Sequence, residues 1–272
     1  MLNTKRILQI IHTPKVQLAL SLLLIYFTAI ITEFSPNIIY IFITNIAFTV
    51  GFDLLFIYIR KRKVFIPYAA IVTGLILSVT LTPTTPWYAI IILCGIAMAT
   101  KNFIRIKNRH IFNPAAIGLV LGGIIFHQSV SWWGSSFQSI FTGHIGIVFL
   151  FIILLLPIYV SGYRMKRYYT IFSFFLVYII TSFFLTHGST VQDFVAISSS
   201  SSLIFFTLIM LPEPMTSPVT KKRQILFGML VAILTQIILL PMISHLLAPI
   251  GLLPDPFLIS LLISNAIFFT FR

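Results

Sequence analysis

The sequence predicts an all-α polytopic membrane protein: ten transmembrane helices in two inverted five-helix repeats, with short or broken helices at the centre. Three observations lead there. The 272 residues are 58% hydrophobic and only 8% charged, and the mean hydropathy is +1.05, more apolar surface than a water-soluble core can hide. Ten apolar stretches follow one another along the chain. The Lys and Arg residues fall between those stretches in a pattern that selects one topology.

The stretches cover about 16–32, 38–59, 64–83, 87–100, 111–126, 145–161, 168–186, 195–213, 225–248 and 252–271. Several reach the roughly 17–25 residues that a bilayer requires. With ten spans and a cytoplasmic N-terminus, all 18 Lys and Arg lie on the cytoplasmic side. They are Lys5, Arg6 and Lys15, then the clusters Arg60 to Lys63, Lys101 to Arg109, Arg164 to Arg167 and Lys221 to Arg223, then Arg272. One span more or fewer scrambles that partition, so the positive-inside rule sets span number and orientation together, with both termini cytoplasmic. The net charge of +13 is thus topology, and no nucleic acid is expected as a partner. No small-residue cleavage pattern follows span one, which reads as an uncleaved first span. The single cysteine, Cys94, lies in an apolar run and reads as a packing residue. It excludes an internal disulfide and a Cys-rich metal centre made by this chain alone. His127, His144, His187 and His245 map outside without ligand spacing, so no metal site is expected.

Span three ends in Thr82-Pro83-Thr84-Thr85-Pro86 and span eight in Pro214-Met215-Thr216-Ser217-Pro218. Span five opens on Asn113-Pro114 and span ten on Asp255-Pro256. Each matched pair is five spans apart and so lies on opposite sides of the membrane. That is an inverted repeat within a single integral membrane domain, 1–272: repeat one about 16–126, repeat two about 145–271.

Asn113 followed by Pro114 is a helix start, because Asn caps free N–H groups and Pro suits the first turn. From Asn113 to Phe126 the helix is about 21 Å long at ~1.5 Å per residue, short of the ~30 Å hydrocarbon core. Span four is equally short. Shortened helices within a bundle point to a binding site, since their free backbone groups must line a cavity or a ligand. A buried helix N-terminus suits an anionic or carbonyl-rich ligand. The same residues also suit a plain capped helix emerging at the cytoplasmic surface.

Two runs carry a resemblance. Arg109-His110-Ile111-Phe112-Asn113-Pro114-Ala115-Ala116 and Val72 to Pro83 (VTGLILSVTLTP), in that family's order, resemble the NqrB/RnfD family. These are the membrane flavoprotein subunits of sodium-pumping NADH:quinone oxidoreductase and of the Rnf complex. Met210 to Pro218 (MLPEPMTSP) is similar to that family's Asp-Pro-Val/Met-Thr-Ser segment, and Ser264-Asn265-Ala266 to its last span. The resemblance implies bound flavin (FMN or riboflavin), electron transfer coupled to Na+ or H+ movement, and a place in the cell (inner) membrane. It also implies other membrane and cytoplasmic subunits as partners. The family attaches FMN covalently to the Thr of a Ser-Gly-Ala-Thr motif in the outer loop after span five. Here that loop reads HQSVSWWGSSFQSIFTGH, and its hydroxyls Ser135, Ser136 and Thr142 lack the flanking pattern. A non-covalent flavin is therefore expected among Thr73, Gly74, Thr82, Thr84, Thr85, Arg109, His110, Asn113, Pro114, Glu213, Thr216 and Ser217, where hydroxyls, a helix start and a glycine can meet a ring edge. Trp132 and Trp133 read as part of an interfacial aromatic belt, with stacking on the flavin as the alternative.

Asp53 lies inside span two. It reads either as a cation or proton site on an ion pathway or as the partner of snorkelling cations from the 60–63 cluster. Glu213 reads as a loop acid, held against a ligand or solvated. The run Ser198 to Ser202 in span eight reads as close helix packing. Three functional readings follow: a membrane flavoprotein passing electrons, an inverted-repeat solute transporter or channel without redox activity, and a scaffold for other subunits. No GxGxxG fingerprint is present, so the chain cannot oxidise NADH by itself.

Overall fold

The computed structural model describes residues 12–32, 34–106, 109–127, 130–135, 156–185, 190–243 and 255–270. Helices α1 (Pro14–Thr32) and α2 (Pro36–Ile59) both open on proline, whose missing N–H costs nothing in the first turn. The Ser35 hydroxyl caps α2 by accepting from the Asn37 N–H at 3.3 Å. Helix α3 (Tyr68–Thr80) stops as Leu81 turns extended, because Thr82 precedes a proline that disfavours helical backbone. Leu81 then pairs with Val130. Helix α4 (Trp87–Phe103) leads through a minimal hairpin, β1 (Arg105–Ile106) with β2 (Arg109–His110), into α5 (Pro114–Phe126).

The second half is less regular. A π-wound segment, Ile158–Arg164, turns at Lys166 (φ 55°) into α6 (Tyr168–Leu185). Span eight is two pieces, α7 (Val191–Ser198) and α8 (Ser201–Phe205), bent by 48°. The serine run that suggested close packing marks this break: Ser198 donates back to the Val195 carbonyl at 3.1 Å, offering the backbone an alternative to the helix. Helix α8 continues as a π turn, Phe206–Met210. Helices α9 (Lys221–Leu239) and α10 (Pro256–Thr270) complete the bundle.

The chain is an all-α polytopic membrane protein. Helices α1, α2, α6 and α9 are each long and apolar enough to cross a bilayer, and α7 with α8 and its π turn to Met210 qualifies as one bent span. Helices α3, α4, α5 and α10 are apolar but shorter; the 13 residues of α3 and of α5 reach about 20 Å. Span six, expected at 145–161, lies mostly outside the described residues.

Pairings in the first half recur in the second. Helix α2 packs on α4 as α6 packs on α9, α4 on α5 as α9 on α10, and α5 meets α10 between the halves. An aromatic cluster of Phe174, Phe206 and Phe257 fills the second half, with Phe206 and Phe257 stacked at 5.0 Å. The α6–α9 contact depends on Gly228. A Cβ there would strike the Ser173 hydroxyl and stand 2.6 Å from the Thr170 carbonyl and 2.9 Å from the Phe174 nitrogen. Small residues are what let membrane helices approach this closely. Gly228→Ala should cost about 1–3 kcal/mol through overpacking. A lower melting temperature in detergent checks this, with Gly51→Ala as the control, since nothing lies within 4 Å of a Cβ at Gly51.

Both tryptophans depart from the expected surface belt. Trp132 and Trp133 are buried, at 7% exposure each. The Trp133 indole donates to the Ser78 carbonyl at 3.0 Å and the Trp132 indole to the Asp255 carboxylate. Their N–H groups find partners inside the bundle, so the interface offers them no advantage.

Candidate functional site

Asn113 joins the two halves. Its Oδ1 accepts from the Ala116 N–H at 3.1 Å, capping α5, and its Nδ2 donates to the Met210 carbonyl at 3.0 Å. That carbonyl belongs to the π turn ending α8, where last-turn carbonyls lack helical partners. One buried side chain thus satisfies a helix start and a helix end from opposite halves of the chain. The N–H of Ala115, the next donor of the first turn, has no acceptor among the described residues.

The residues flanking Asn113 hold the segment after α8. His110 Nε2 donates to Glu213 Oε1 at 2.8 Å, and Arg109 Nη2 to the Pro214 carbonyl at 2.7 Å. Thr216 Oγ1 donates to Glu213 Oε2 at 3.1 Å, and Ser217 Oγ to the Glu213 carbonyl at 2.7 Å. Glu213 is therefore a partly exposed loop acid, 23% open at its side chain, that ties the turn together. Beside it opens a cavity of about 110 Å³, walled by Thr73, Ile76 and Ile209 and rimmed by Lys15, His110, Asn113 and Glu213.

The structure brings together Thr73, Arg109, His110, Asn113, Pro114, Glu213, Thr216 and Ser217, but not the remaining expected residues. Gly74 faces α2, where an added Cβ would stand 3.0 Å from Ile46 Cα and 3.1 Å from the Asn45 carbonyl; it is a helix-packing glycine. Thr82, Thr84 and Thr85 follow the opposite end of α3 from the one that enters the cavity. Thr80 at that end accepts from the Ser131 N–H at 3.0 Å, beside Trp132 and Asp255. Asp255 caps α10, accepting from the Phe257 N–H at 2.9 Å, as Asn113 caps α5. The matched motifs thus mark two separate ends. Ser136 and Thr142 lie outside the described residues; Ser135 ends a short 3-10 turn, Trp133–Ser135.

Asp53 is fully buried, and its partner is not the 60–63 cluster. Lys101 Nζ donates to Asp53 Oδ2 and Asn102 Nδ2 to Oδ1, each at 2.8 Å. Helix α4 runs past the apolar stretch to Phe103, which carries Lys101 one turn inside the bundle against α2.

Residues 10–268 match the model of the NQR2, RnfD, RnfE family. The chain belongs to that family. Among relatives of this NQR2, RnfD, RnfE family member, an ion-translocating oxidoreductase complex subunit of Salmonella arizonae is 32% identical over 91 residues, covering 28% of this chain and 26% of the relative. The subunits of the same name in Salmonella newport and Salmonella typhimurium are each 31% identical with the same coverage. The aligned stretch thus spans about a quarter of the length of these relatives.

Sequence reasoning passed over one residue of this family member's site. Arg167, only 5% exposed, donates from Nε to Ser217 Oγ at 2.7 Å and from Nη2 to the Pro214 carbonyl at 3.3 Å. Pro214 is thereby gripped by two arginines. Burial first, and then the neighbouring Arg109 charge, pull the Arg167 guanidinium below its ordinary range. In the sequence Arg167 is one of a basic trio before an apolar span, which the positive-inside rule already explains. Nothing there separates it from Arg164 and Lys166.

Proposed function

We propose that this chain is a membrane subunit of an ion-translocating oxidoreductase complex, holding a flavin non-covalently at the Asn113 cleft and passing electrons within the membrane to partner subunits. The observation that carries the reading is the meeting of the α5 start and the α8 end around one partly open cavity. Such ends supply N–H donors and carbonyl acceptors at membrane depth, where they otherwise go unsatisfied. The names of the relatives support the complex, and coupling to Na+ or H+ movement is part of the proposal.

The polar groups at the rim suit the edge of a planar ring: His110 and Asn113 are held rigid by their hydrogen bonds, and Thr73 and Ile76 flank the space. The cavity, about 110 Å³, is smaller than the ~300–1,000 Å³ of sites that enclose a whole ligand. It would hold one edge of the ring system and not the whole of it. A bound flavin would supply one- and two-electron redox chemistry. The positive end of α5 would stabilise negative charge at that edge, beside the His110–Glu213 hydrogen bond.

An absorption spectrum of the detergent-purified chain, loaded with FMN or riboflavin, tests the proposal. Flavin should co-purify and be released completely by acid precipitation. Flavin remaining in the pellet would mean covalent attachment in the outer loop. Absence of flavin binding together with solute uptake by proteoliposomes would replace the proposal with the transporter reading.

A further inference from the structure

We propose that a second cleft, between the start of α1 and the turn into α6, holds the phosphate headgroup of an anionic phospholipid. This cleft has a volume of about 510 Å³ and is lined by Pro14, Tyr163, Arg164, Lys166 and Tyr168. Its size falls within the ~300–1,000 Å³ typical of small-molecule sites. Two of its five lining residues are cations and none is an acid. Among the described residues the Arg164 guanidinium reaches only a neutral acceptor, the His12 carbonyl. Among the described residues the Lys101–Asp53 ion pair and the His110–Glu213 contact lie elsewhere. A pair of cations without an acidic partner among the described residues, at the boundary of a bilayer, fits the anionic surface of a membrane leaflet.

The backbone builds this cleft. The π winding of Ile158–Arg164 is followed by Lys166 at φ 55°, a conformation usually given to Gly or Asn. A residue with a Cβ is strained there, and such strain concentrates at functional sites. The turn sets Tyr163, Arg164, Lys166 and Tyr168 around one opening. Its surroundings suit a lipid better than a free anion. Tyr159 and Tyr163 stack at 5.6 Å, and Tyr163, Tyr168 and Phe172 are 72%, 52% and 68% exposed. Helices α1 and α6 are both long membrane helices, so their ends place these rings at the interfacial depth that Tyr favours. The cations meet phosphate while the exposed rings meet glycerol and acyl chain.

Titrating the purified full-length chain in detergent with fluorescent phosphatidylglycerol and, separately, phosphatidylcholine tests the assignment. Phosphatidylglycerol should bind more tightly. Lys166→Gln should weaken its binding about fivefold, the effect of one cation near an anionic headgroup. Lys166→Arg should retain it, and Lys222→Gln, outside the cleft, should leave it unchanged. Lys166 is exposed, so these variants do not threaten the fold. Equal binding of the two lipids, or no effect of Lys166→Gln, would overturn the proposal. Displacement of phosphatidylglycerol by equimolar inorganic phosphate would make this a free-anion site and overturn it equally.

Discussion

Asp53→Ala should destabilise the protein by about 3–5 kcal/mol, because it strands the Lys101 ammonium inside the bundle without its counter-charge. The two side chains are only 1% and 9% exposed, so water cannot take over. The second arm is the double variant Asp53→Leu with Lys101→Met. Replacing a buried pair by apolar groups of similar volume is often neutral or stabilising, so the double variant should melt near the parent and well above either single one. Thermal unfolding in detergent reads both effects. The same variants decide what the pair does. A cation can reach Asp53 only by displacing Lys101, so an ion pathway through Asp53 requires that lysine to move. Ion movement that persists in the stable double variant would remove Asp53 from the pathway. Loss of ion movement with restored stability would make the pair a working part of it.

Asn113→Ala should lose both functions of one side chain. The missing cap costs ~0.5–2 kcal/mol, and the Met210 carbonyl left unsatisfied costs about 1–3 kcal/mol more. Flavin content should fall, or the midpoint potential of the bound flavin should drop. The sequence alone suggests that Asn113→Asp keeps the cap and harms the potential more than the fold. The structure changes that expectation. Asp still accepts from the Ala116 N–H, but it cannot donate to Met210 and sets a carboxylate oxygen against a carbonyl 3.0 Å from the present nitrogen. Asn113→Asp should therefore melt at or below Asn113→Ala. Flavin content, midpoint potential and melting temperature of both variants against the parent test this. Unchanged flavin properties in both would reduce Asn113 to a structural bridge.

Asn113 was legible because a cap is a local device, set by the identity of one residue and the proline after it. The shortness of α5 was legible for the same reason, whereas α3, expected across 64–83, is only 13 residues long. What required the structure was rotation and depth. Hydropathy places Asp53 at a depth in α2 but not the face it presents, so the partner 48 residues away was invisible while the cations seven residues away looked adequate. The motifs near Thr82 and Thr216 look alike in sequence, yet the fold puts them at different ends of the bundle. Arg167 and Trp132 stayed hidden because topology and the aromatic belt already account for Arg and Trp at membrane boundaries. Burial distinguishes the exceptions, and one sequence does not carry it.

The Asn113–Met210 bond also sets an order of events during synthesis. Its two residues are 97 apart in the chain, so at ~5–20 residues per second the amide exists for about 5–20 s before its acceptor is made. Arg109 waits slightly longer for Pro214, 105 residues on. The first five helices therefore enter the bilayer as an unfinished half, their polar groups turned toward a partner still in the ribosome. A pause in translation between these points prolongs that exposure, and membrane proteases that survey polar groups within lipid have their longest opportunity there. Maturation of the cleft is thus timed by the second half of the chain, whose arrival closes both contacts almost together.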